Sequence, residues 1–285
     1  MRRAIKAIYK GEPVTEGAGV RLRRVFGYNE APDFDPFLLF DDFRSDRPED
    51  FVRGFPWHPH RGIETITYVI KGDVEHGDSL GNTGVISSGD VQWMTAGSGI
   101  IHQEMPKGDP HGSMHGFQLW ANLPAAEKMM IPRYRGLTAA QIPEATLADG
   151  TRVKVIAGRV GDVHGPMDDI VIQPEYLDCD VPPKVQFIHS LPHGHTAFLY
   201  VIDGSGMVET EPVQNRTMIL FEPGDTLSIT AGATGVRFLL VSGKPLAEPI
   251  AWRGPIVMNT KAELDLAFQE YHEGKFIKHA TGLIP

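Results

Sequence analysis

The chain of 285 residues is about twice the length of a typical domain, so two domains or one large double barrel are expected. Its composition, 41% hydrophobic and 22% charged, is ordinary for a globular protein, and the formal net charge of −9 argues against a surface that tracks nucleic-acid phosphates. A single cysteine, Cys179, excludes an intrachain disulfide, and neither a secretory signal nor a membrane-length apolar run is found, so we expect a cytoplasmic protein with no direct nucleic-acid or membrane contact.

Two histidines stand one residue apart in "FPWHPHRGIETITYVIKG", residues 55–72, just before an alternating apolar run. Because side chains alternate across a strand, His58 and His60 can present both imidazoles to one face. Glu64 follows His60 by four residues and is expected on that same face if no bulge intervenes. We predict a catalytic role for Glu64 as a base beside a metal ion, with a ligand role or an acceptor for an imidazole N–H as alternatives.

The segment "TAGSGIIHQEMP", residues 95–106, repeats the spacing with His102 and Glu104. If the two segments lie on neighbouring strands, His58, His60, His102 and Glu104 converge on one ion. Three imidazoles and a carboxylate suit Fe(II), Mn(II), Ni(II), Cu(II) or Zn(II). Four protein ligands on an octahedral ion leave two positions for a bidentate substrate, or for substrate and dioxygen.

Short apolar segments between Gly, Pro and Asp turns predict an all-β fold of sandwich or barrel units. The segment "TITYVIKG" at 65–72 matches "AFLYVIDG" at 197–204, and "ISSGDVQWMTAG" at 86–97 matches "FEPGDTLSITAG" at 221–232. The nearly equal offsets indicate a tandem duplication of one β module. Residues 123–150 are predicted to connect the two copies.

We predict a metal-binding domain at residues 1–135 and a second domain at 136–285 that lacks a full ligand set. His193 and His195 in "PHGHTAF" have the right spacing, but the repeat supplies no second ligand pair, so loop or packing roles are expected for them. The second domain is predicted to end in a helix over "NTKAELDLAFQEYHEG", residues 259–274. Thr260 and Glu263 form a capping-box pattern at its start, and Gly274 ends it.

Several motifs together resemble the pirins, a branch of the cupin superfamily. They are "HPHRGIET", "SSGDVQWMTAGSGIIHQEMP", "DPFLLFDDF", "HGFQLWANLP" and "GPIVMNTKAEL", and the resemblance runs from about Arg21 to Phe276. It implies two tandem cupin barrels of jelly-roll type with one mononuclear iron, Fe(II), in the N-terminal barrel. The family's three histidine ligands and one glutamate ligand fall on His58, His60, His102 and Glu104, which leaves Glu64 for a supporting role.

The resemblance implies two functions from different classes. The first is quercetin 2,3-dioxygenase chemistry, in which Fe(II) and O2 cleave a small aromatic substrate such as a flavonol and Glu64 takes the proton of its 3-hydroxyl group. The alternative is an iron-dependent redox-sensing regulator that acts through protein partners, either as a transcriptional co-regulator or on a metabolic enzyme. A third hypothesis is a metal-storing or vestigial cupin whose natural substrate is not a flavonol.

Overall fold

Short strands joined by glycine-rich turns make up most of the chain, which confirms the all-β prediction. The computed structural model describes residues 1–279. Their helices and strands are β1 (Ile5–Tyr9), β2 (Glu12–Glu16), β3 (Val20–Phe26), α1 (Ala31–Phe34), β4 (Phe37–Ser45), β5 (Phe55–His60), β6 (Ile63–Lys71), β7 (Val74–Asp78), β8 (Thr83–Ile86), β9 (Val91–Thr95), β10 (Ile100–Pro106), β11 (Met114–Asn122), β12 (Arg133–Leu137), β13 (Glu144–Thr146), β14 (Arg152–Ala157), β15 (Arg159–Val160), β16 (Val163–His164), β17 (Glu175–Val181), β18 (Gln186–Ser190), β19 (Thr196–Val208), β20 (Glu211–Gln214), β21 (Met218–Phe221), β22 (Thr226–Gly243), β23 (Ala251–Arg253), β24 (Ile256–Met258) and α2 (Lys261–His272), with short 3₁₀ turns at Pro48–Asp50 and Ala139–Gln141.

The first of two compact units comprises Glu12–Ala31, Phe37–Ala139 and, within the described residues, the chain after Leu246. Seven of its strands form a sheet in the order β12-β9-β6-β11-β4-β3-β2, and four form a sheet in the order β5-β10-β7-β8. Buried side chains of both sheets, such as Leu22 of β3 and Val74 of β7, share one core cluster. The two sheets therefore face each other and form the first barrel.

The second unit comprises Met1–Gly11, Pro32–Pro36 and Ala140–Leu246. Its sheet has the order β1-β21-β19-β22-β17-β14-β13, with β18 paired to β22 and β20 paired to β19. The order β21-β19-β22-β17-β14-β13 repeats the order β9-β6-β11-β4-β3-β2 of the first barrel. The topology of the first barrel is thus repeated, and this unit is the second barrel. The match of 65–72 to 197–204 falls on the equivalent strands β6 and β19, whereas the match of 86–97 to 221–232 joins β9 to the start of β22, which are not equivalent in this order.

The sequence predicts a domain boundary after residue 135, but the two units do not divide there. Residues 1–11, predicted in the first domain, carry β1, which pairs with the edge strand β21 of the second barrel. The hairpin β23-β24 and helix α2, predicted in the second domain, belong to the first unit. The physical reason is burial: Ile256, Met258 and Leu264 of this segment are buried in a core cluster, and Val257 is buried with Ile63 of β6.

Helix α2 begins with the predicted capping box. The Thr260 hydroxyl accepts a hydrogen bond from the backbone N–H of Glu263, and the Glu263 carboxylate accepts one from the backbone N–H of Thr260 at 2.8 Å. Leu264 and Ala267 form its buried face. The predicted C-terminal helix is confirmed, and within residues 1–279 no helix is long and apolar enough to cross a membrane.

The predicted connector, residues 123–150, contributes one strand to each barrel. Strand β12 pairs with β9 at one edge of the seven-stranded sheet, and β13 pairs with β14 in the second barrel. Pro124, Pro132 and Pro143 punctuate the segment, which is consistent with its short strands and turns.

Candidate metal centre

The register of two antiparallel strands brings the predicted histidines together. His58 of β5 lies directly opposite His102 of β10, and His60 lies opposite Ile100. The ring centroids are 4.4 Å apart for His58 and His102, 5.0 Å for His60 and His102, and 4.9 Å for His58 and His60. One ring nitrogen from each histidine lies within 4.8 Å of the other two. This histidine cluster can bind a single metal ion.

Backbone carbonyls fix how two of the imidazoles present their nitrogens. Nδ1 of His58 lies 2.9 Å from the carbonyl oxygen of Pro56, and Nδ1 of His60 lies 3.0 Å from that of Pro255. Because a carbonyl oxygen only accepts, both Nδ1 atoms carry a hydrogen, so in the neutral rings the lone pair is on Nε2. Those two Nε2 atoms are 3.1 Å apart. Two lone pairs that face each other at this distance repel, and a cation between them removes the repulsion.

Burial favours a metal ion over a proton as that cation. Burial lowers the pKa of His60 and of His102 well below the usual range, and the neighbouring histidines lower it further. Nε2 of His102 is buried without a hydrogen-bond partner. A metal ion meets all three lone pairs at once, whereas a proton meets one. The donor set of neutral imidazoles therefore fits a first-row metal ion.

Glu104, the fourth predicted ligand, lies on the same face of β10 as His102, but its carboxylate lies outside the cluster of ring nitrogens. The Thr67 hydroxyl donates to its Oε1 at 2.9 Å, and Nε2 of Gln118 lies 3.3 and 3.2 Å from its two oxygens. These two neighbours orient a carboxylate whose residue is only 4% exposed. The role of Glu104 as a ligand stays a prediction.

The structure does not bring Glu64 to the histidine cluster. Its strand β6 belongs to the seven-stranded sheet, whereas β5 belongs to the four-stranded sheet. The chain changes sheets at Gly62, which has φ = 78° and passes so close to Val257 that a Cβ would overlap its carbonyl oxygen. The alternation that places Glu64 on the face of His60 therefore breaks, and Glu64 faces the opposite side of β6 from Thr67.

On that side of β6, Glu64 is buried and hydrogen-bonded. Its carboxylate accepts a hydrogen bond from the Thr95 hydroxyl at 2.6 Å, and burial raises its pKa. Glu64 does not line the cavity beside the histidines. A base for a molecule bound in that cavity has to come from another residue.

A cavity of about 610 Å³ lies beside the histidine cluster, with His58 and His60 in its wall. One wall of the cavity is aromatic. The ring of Trp120 lies 5.0 Å from that of His60, Trp252 lies 6.0 Å from Trp120, and Tyr28 lies 5.4 Å from Trp252. The volume is in the range of small-molecule sites, and successive rings suit a planar aromatic ligand.

A second wall of the cavity is ionic. Arg24 donates from Nε and Nη2 to the two carboxylate oxygens of Asp41 at 2.9 and 2.8 Å, and from Nη1 to Glu16 at 2.8 Å. Burial raises the pKa of Asp41 to about 6, although Arg24 opposes this shift. The cavity thus holds a carboxylate that titrates close to neutral pH.

Sequence reasoning missed the residues of both walls. A signal existed for Asp41, because "FLLFDDF" places two carboxylates in an otherwise apolar strand, and a buried charge needs a partner. Trp252 gave no comparable signal, since only the packing of the C-terminal segment brings it next to Trp120.

Two buried basic side chains, Lys128 and Arg61, connect the C-terminal segment to the strands of the metal centre. Nζ of Lys128 donates to the Gly62 carbonyl at 2.9 Å, the Asn122 side chain at 2.6 Å and the Val257 carbonyl at 3.1 Å. Arg61 donates to the Glu270 carboxylate at 2.8 Å. These contacts hold Pro255, whose carbonyl orients His60, against the barrel.

The second predicted histidine pair has separate surroundings. His193 is exposed, and its Nδ1 lies 2.8 Å from the Asp225 carboxylate. His195 is 7% exposed and precedes β19. Over residues 1–279, the three histidines of the first barrel are the one group of potential ligands this close together.

Comparison with known proteins places these features in a family context. The family model described as Pirin matches residues 19–121, and the model described as the pirin C-terminal cupin domain matches residues 176–277. A Pseudomonas aeruginosa protein, provisionally named a quercetin 2,3-dioxygenase, is 45% identical over 280 residues, which cover 95% of this chain and 97% of that protein. Human pirin is 39% identical over 269 residues, which cover 92% of this chain and 89% of pirin. A solved structure named quercetin 2,3-dioxygenase, from Acinetobacter baumannii, has a TM-score of 0.88 at 32% identity and covers 99% of this chain and 100% of its own.

Proposed function

The chain belongs to the pirin family, and from its histidine cluster and cavity we propose that it is an iron-dependent dioxygenase that cleaves flavonols by quercetin 2,3-dioxygenase chemistry. The observation that carries this proposal is the pair of Nε2 lone pairs 3.1 Å apart in the wall of an aromatic cavity. The names of the Pseudomonas aeruginosa and Acinetobacter baumannii relatives support the choice of reaction.

His58, His60 and His102 would hold the ion, and we propose Glu104 as the fourth ligand. When bound, a ferrous ion would lower the pKa of a coordinated flavonol hydroxyl and provide the redox chemistry for ring cleavage by dioxygen, which releases carbon monoxide. Thr67 and Gln118 hold the Glu104 carboxylate in one orientation. This preorganisation reduces the rearrangement that metal binding requires.

Asp41 replaces Glu64 as the proposed proton acceptor. It lines the cavity together with His58 and His60, whereas Glu64 does not. Because burial raises the pKa of Asp41 to about 6, its carboxylate is mostly ionised at neutral pH and still basic enough to take a phenolic proton. Arg24, which donates to both of its oxygens, fixes its position.

The aromatic wall would orient the flavonol. Trp120 stands perpendicular to His60, with an interplanar angle of 86°, so a planar ring packed against Trp120 lies beside the imidazole. Such packing excludes water from the reacting part of the ring system and holds its hydroxyl group near the histidines.

The test is turnover of quercetin by the ferrous protein under dioxygen, followed by loss of flavonol absorbance and by release of carbon monoxide. We expect His102→Ala to lower turnover at least about 100-fold, because two remaining imidazoles bind the ion weakly. His193→Ala is the matched control, since that exposed histidine bonds Asp225 in the second unit, and it should retain full turnover. Equal turnover by the wild type and His102→Ala would refute the proposal.

A further inference from the structure

Glu16 stands at the mouth of the cavity on a fixed turn. It ends β2 and is followed by Gly17, where φ is 56° and a Cβ would lie 2.6 Å from the Gly54 carbonyl oxygen and from the Phe55 ring. The backbone N–H of Ala18 donates to the same carbonyl of Gly54 at 3.0 Å. The turn is therefore held against the start of β5, the strand that carries His58 and His60.

Arg24 fixes the Glu16 side chain within this frame. The guanidinium is locked by its two hydrogen bonds to Asp41 and donates its third to Oε1 of Glu16 at 2.8 Å. A carboxylate has about four acceptor positions, so one hydrogen bond leaves most of its capacity for a ligand. The side chain of Glu16 is 41% exposed and lines the cavity.

The spacing of strands separates Arg24, and with it Glu16, from Gln118. Gln118 of β11 pairs with Asp41 of β4, and Asp41 pairs with Arg24 of β3. Neighbouring strands are about 4.8 Å apart, so Arg24 lies about 10 Å across the sheet from Gln118, which contacts Glu104. The side chain of Arg24 then reaches on to Glu16. Asp41 and Glu16 thus bind different nitrogens of one guanidinium, so an acceptor for the 3-hydroxyl proton and an acceptor for hydroxyl groups of the ring attached next to it lie a short distance apart.

We propose that Glu16, positioned by Arg24, is a specificity residue that selects flavonols with two adjacent hydroxyl groups on the pendant ring, the ring attached next to the 3-hydroxyl group. The two oxygens of one carboxylate can accept hydrogen bonds from two neighbouring hydroxyl groups at the same time, whereas hydroxyl groups in meta positions are too far apart to do so. This inference rests on the proposed function, because the metal-bound hydroxyl sets which ring reaches Glu16.

The test compares two flavonols that differ only at that ring: quercetin, which carries the adjacent hydroxyl pair, and galangin, which lacks it. Binding is measured anaerobically on the iron-loaded full-length protein, so that no turnover occurs, through quenching of tryptophan fluorescence. We expect quercetin to bind about ten-fold more tightly than galangin, because hydrogen bonds to a half-exposed carboxylate are worth about 1.4 kcal/mol.

Two variants make the comparison specific. In Glu16→Gln, which retains one acceptor oxygen and loses the charge, the ratio should fall below about three while the affinity for galangin stays unchanged. Glu12→Gln alters an exposed glutamate of the same strand that does not line the cavity, and it should keep the ten-fold ratio.

The outcomes separate this inference from the proposed function. A wild-type ratio near one, a ratio that survives in Glu16→Gln, or no binding of either flavonol overturns the role of Glu16. If quercetin is turned over but both flavonols bind equally tightly, the dioxygenase proposal is retained and the role of Glu16 is rejected. A ten-fold ratio that depends on Glu16, without turnover in air, supports the specificity residue and counts against the dioxygenase.

Discussion

Replacement of Gly62 by alanine tests whether the C-terminal segment holds the metal centre in place. Gly62 has φ = 78°, and an added Cβ would overlap the Val257 carbonyl oxygen, so one of the two backbones has to retreat by about 1 Å. The same movement weakens the hydrogen bonds from Lys128 to both carbonyls and displaces Pro255, which orients His60.

The size of the effect follows from these contacts. A non-glycine residue in the left-handed region costs about 1 to 2 kcal/mol, and two weakened buried hydrogen bonds cost about 1 kcal/mol each. We therefore expect Gly62→Ala to lower the free energy of unfolding by about 3 to 4 kcal/mol. Metal affinity should fall about 10- to 100-fold, because His60 loses its carbonyl partner.

The assay is urea denaturation followed by tryptophan fluorescence, with metal affinity measured by calorimetry. Trp57, Trp93, Trp120 and Trp252 all lie in the first unit, so the signal reports that barrel alone. Gly274→Ala is the matched control: its φ of 70° is similar, but no atom of residues 1–279 lies within 4 Å of an added Cβ. That variant should lose only the backbone cost. If the two variants lose equal stability and both keep full metal affinity, the close approach of Val257 is not what holds the site.

Four further outcomes follow. Glu104→Gln should lower metal affinity about 10- to 100-fold in calorimetry if its carboxylate is a ligand; unchanged affinity would remove it from the ligand set. The pKa of Asp41 is raised from 3.8 to about 6 in the folded state, so the free energy of unfolding of the wild type should fall by up to about 3 kcal/mol as pH rises between those values. Asp41→Asn should remove most of this pH dependence in urea titrations. The pKa of Lys128 is lowered from 10.5 to about 7 in the folded state, so between those pH values the unfolded chain binds more protons than the folded one. The free energy of unfolding should therefore rise as pH rises from about 7 to 10.5, and Lys128→Met should abolish that rise. Thr260→Ala removes the helix cap and should cost about 1 kcal/mol, whereas Thr260→Ser should restore most of it.

The histidines were predictable because the relevant geometry is local. A spacing of two within one strand places both side chains on one face, and this holds for His58 and His60 whatever the rest of the chain does. His102 was predictable as their partner because the second pair of residues at a spacing of two, His102 and Glu104, lies on β10, which pairs with β5. The capping box of α2 was predictable for the same reason, since all its partners lie within four residues.

Glu64 shows where local reasoning stops. The period of two applies only along one uninterrupted strand, and the chain leaves β5 for another sheet at Gly62. That break depends on Val257, which is distant in sequence and close in space. Strand β1 and helix α2 belong to the units opposite to those predicted for the same reason. The barrel that buries a terminal segment is determined by surfaces that form only on folding.

The two barrels show that the residues of the facing strand, more than the fold, determine which barrel brings histidines together. Strand β18 precedes β19 and pairs with the start of β22, just as β5 precedes β6 and pairs with β10. In the first barrel this pairing sets His58 opposite His102. In the second it sets His189 opposite Leu227, and the His189 ring bonds the Glu175 carboxylate at 2.8 Å. The same topology thus holds an imidazole in both barrels, but only in the first does the facing strand supply a second one.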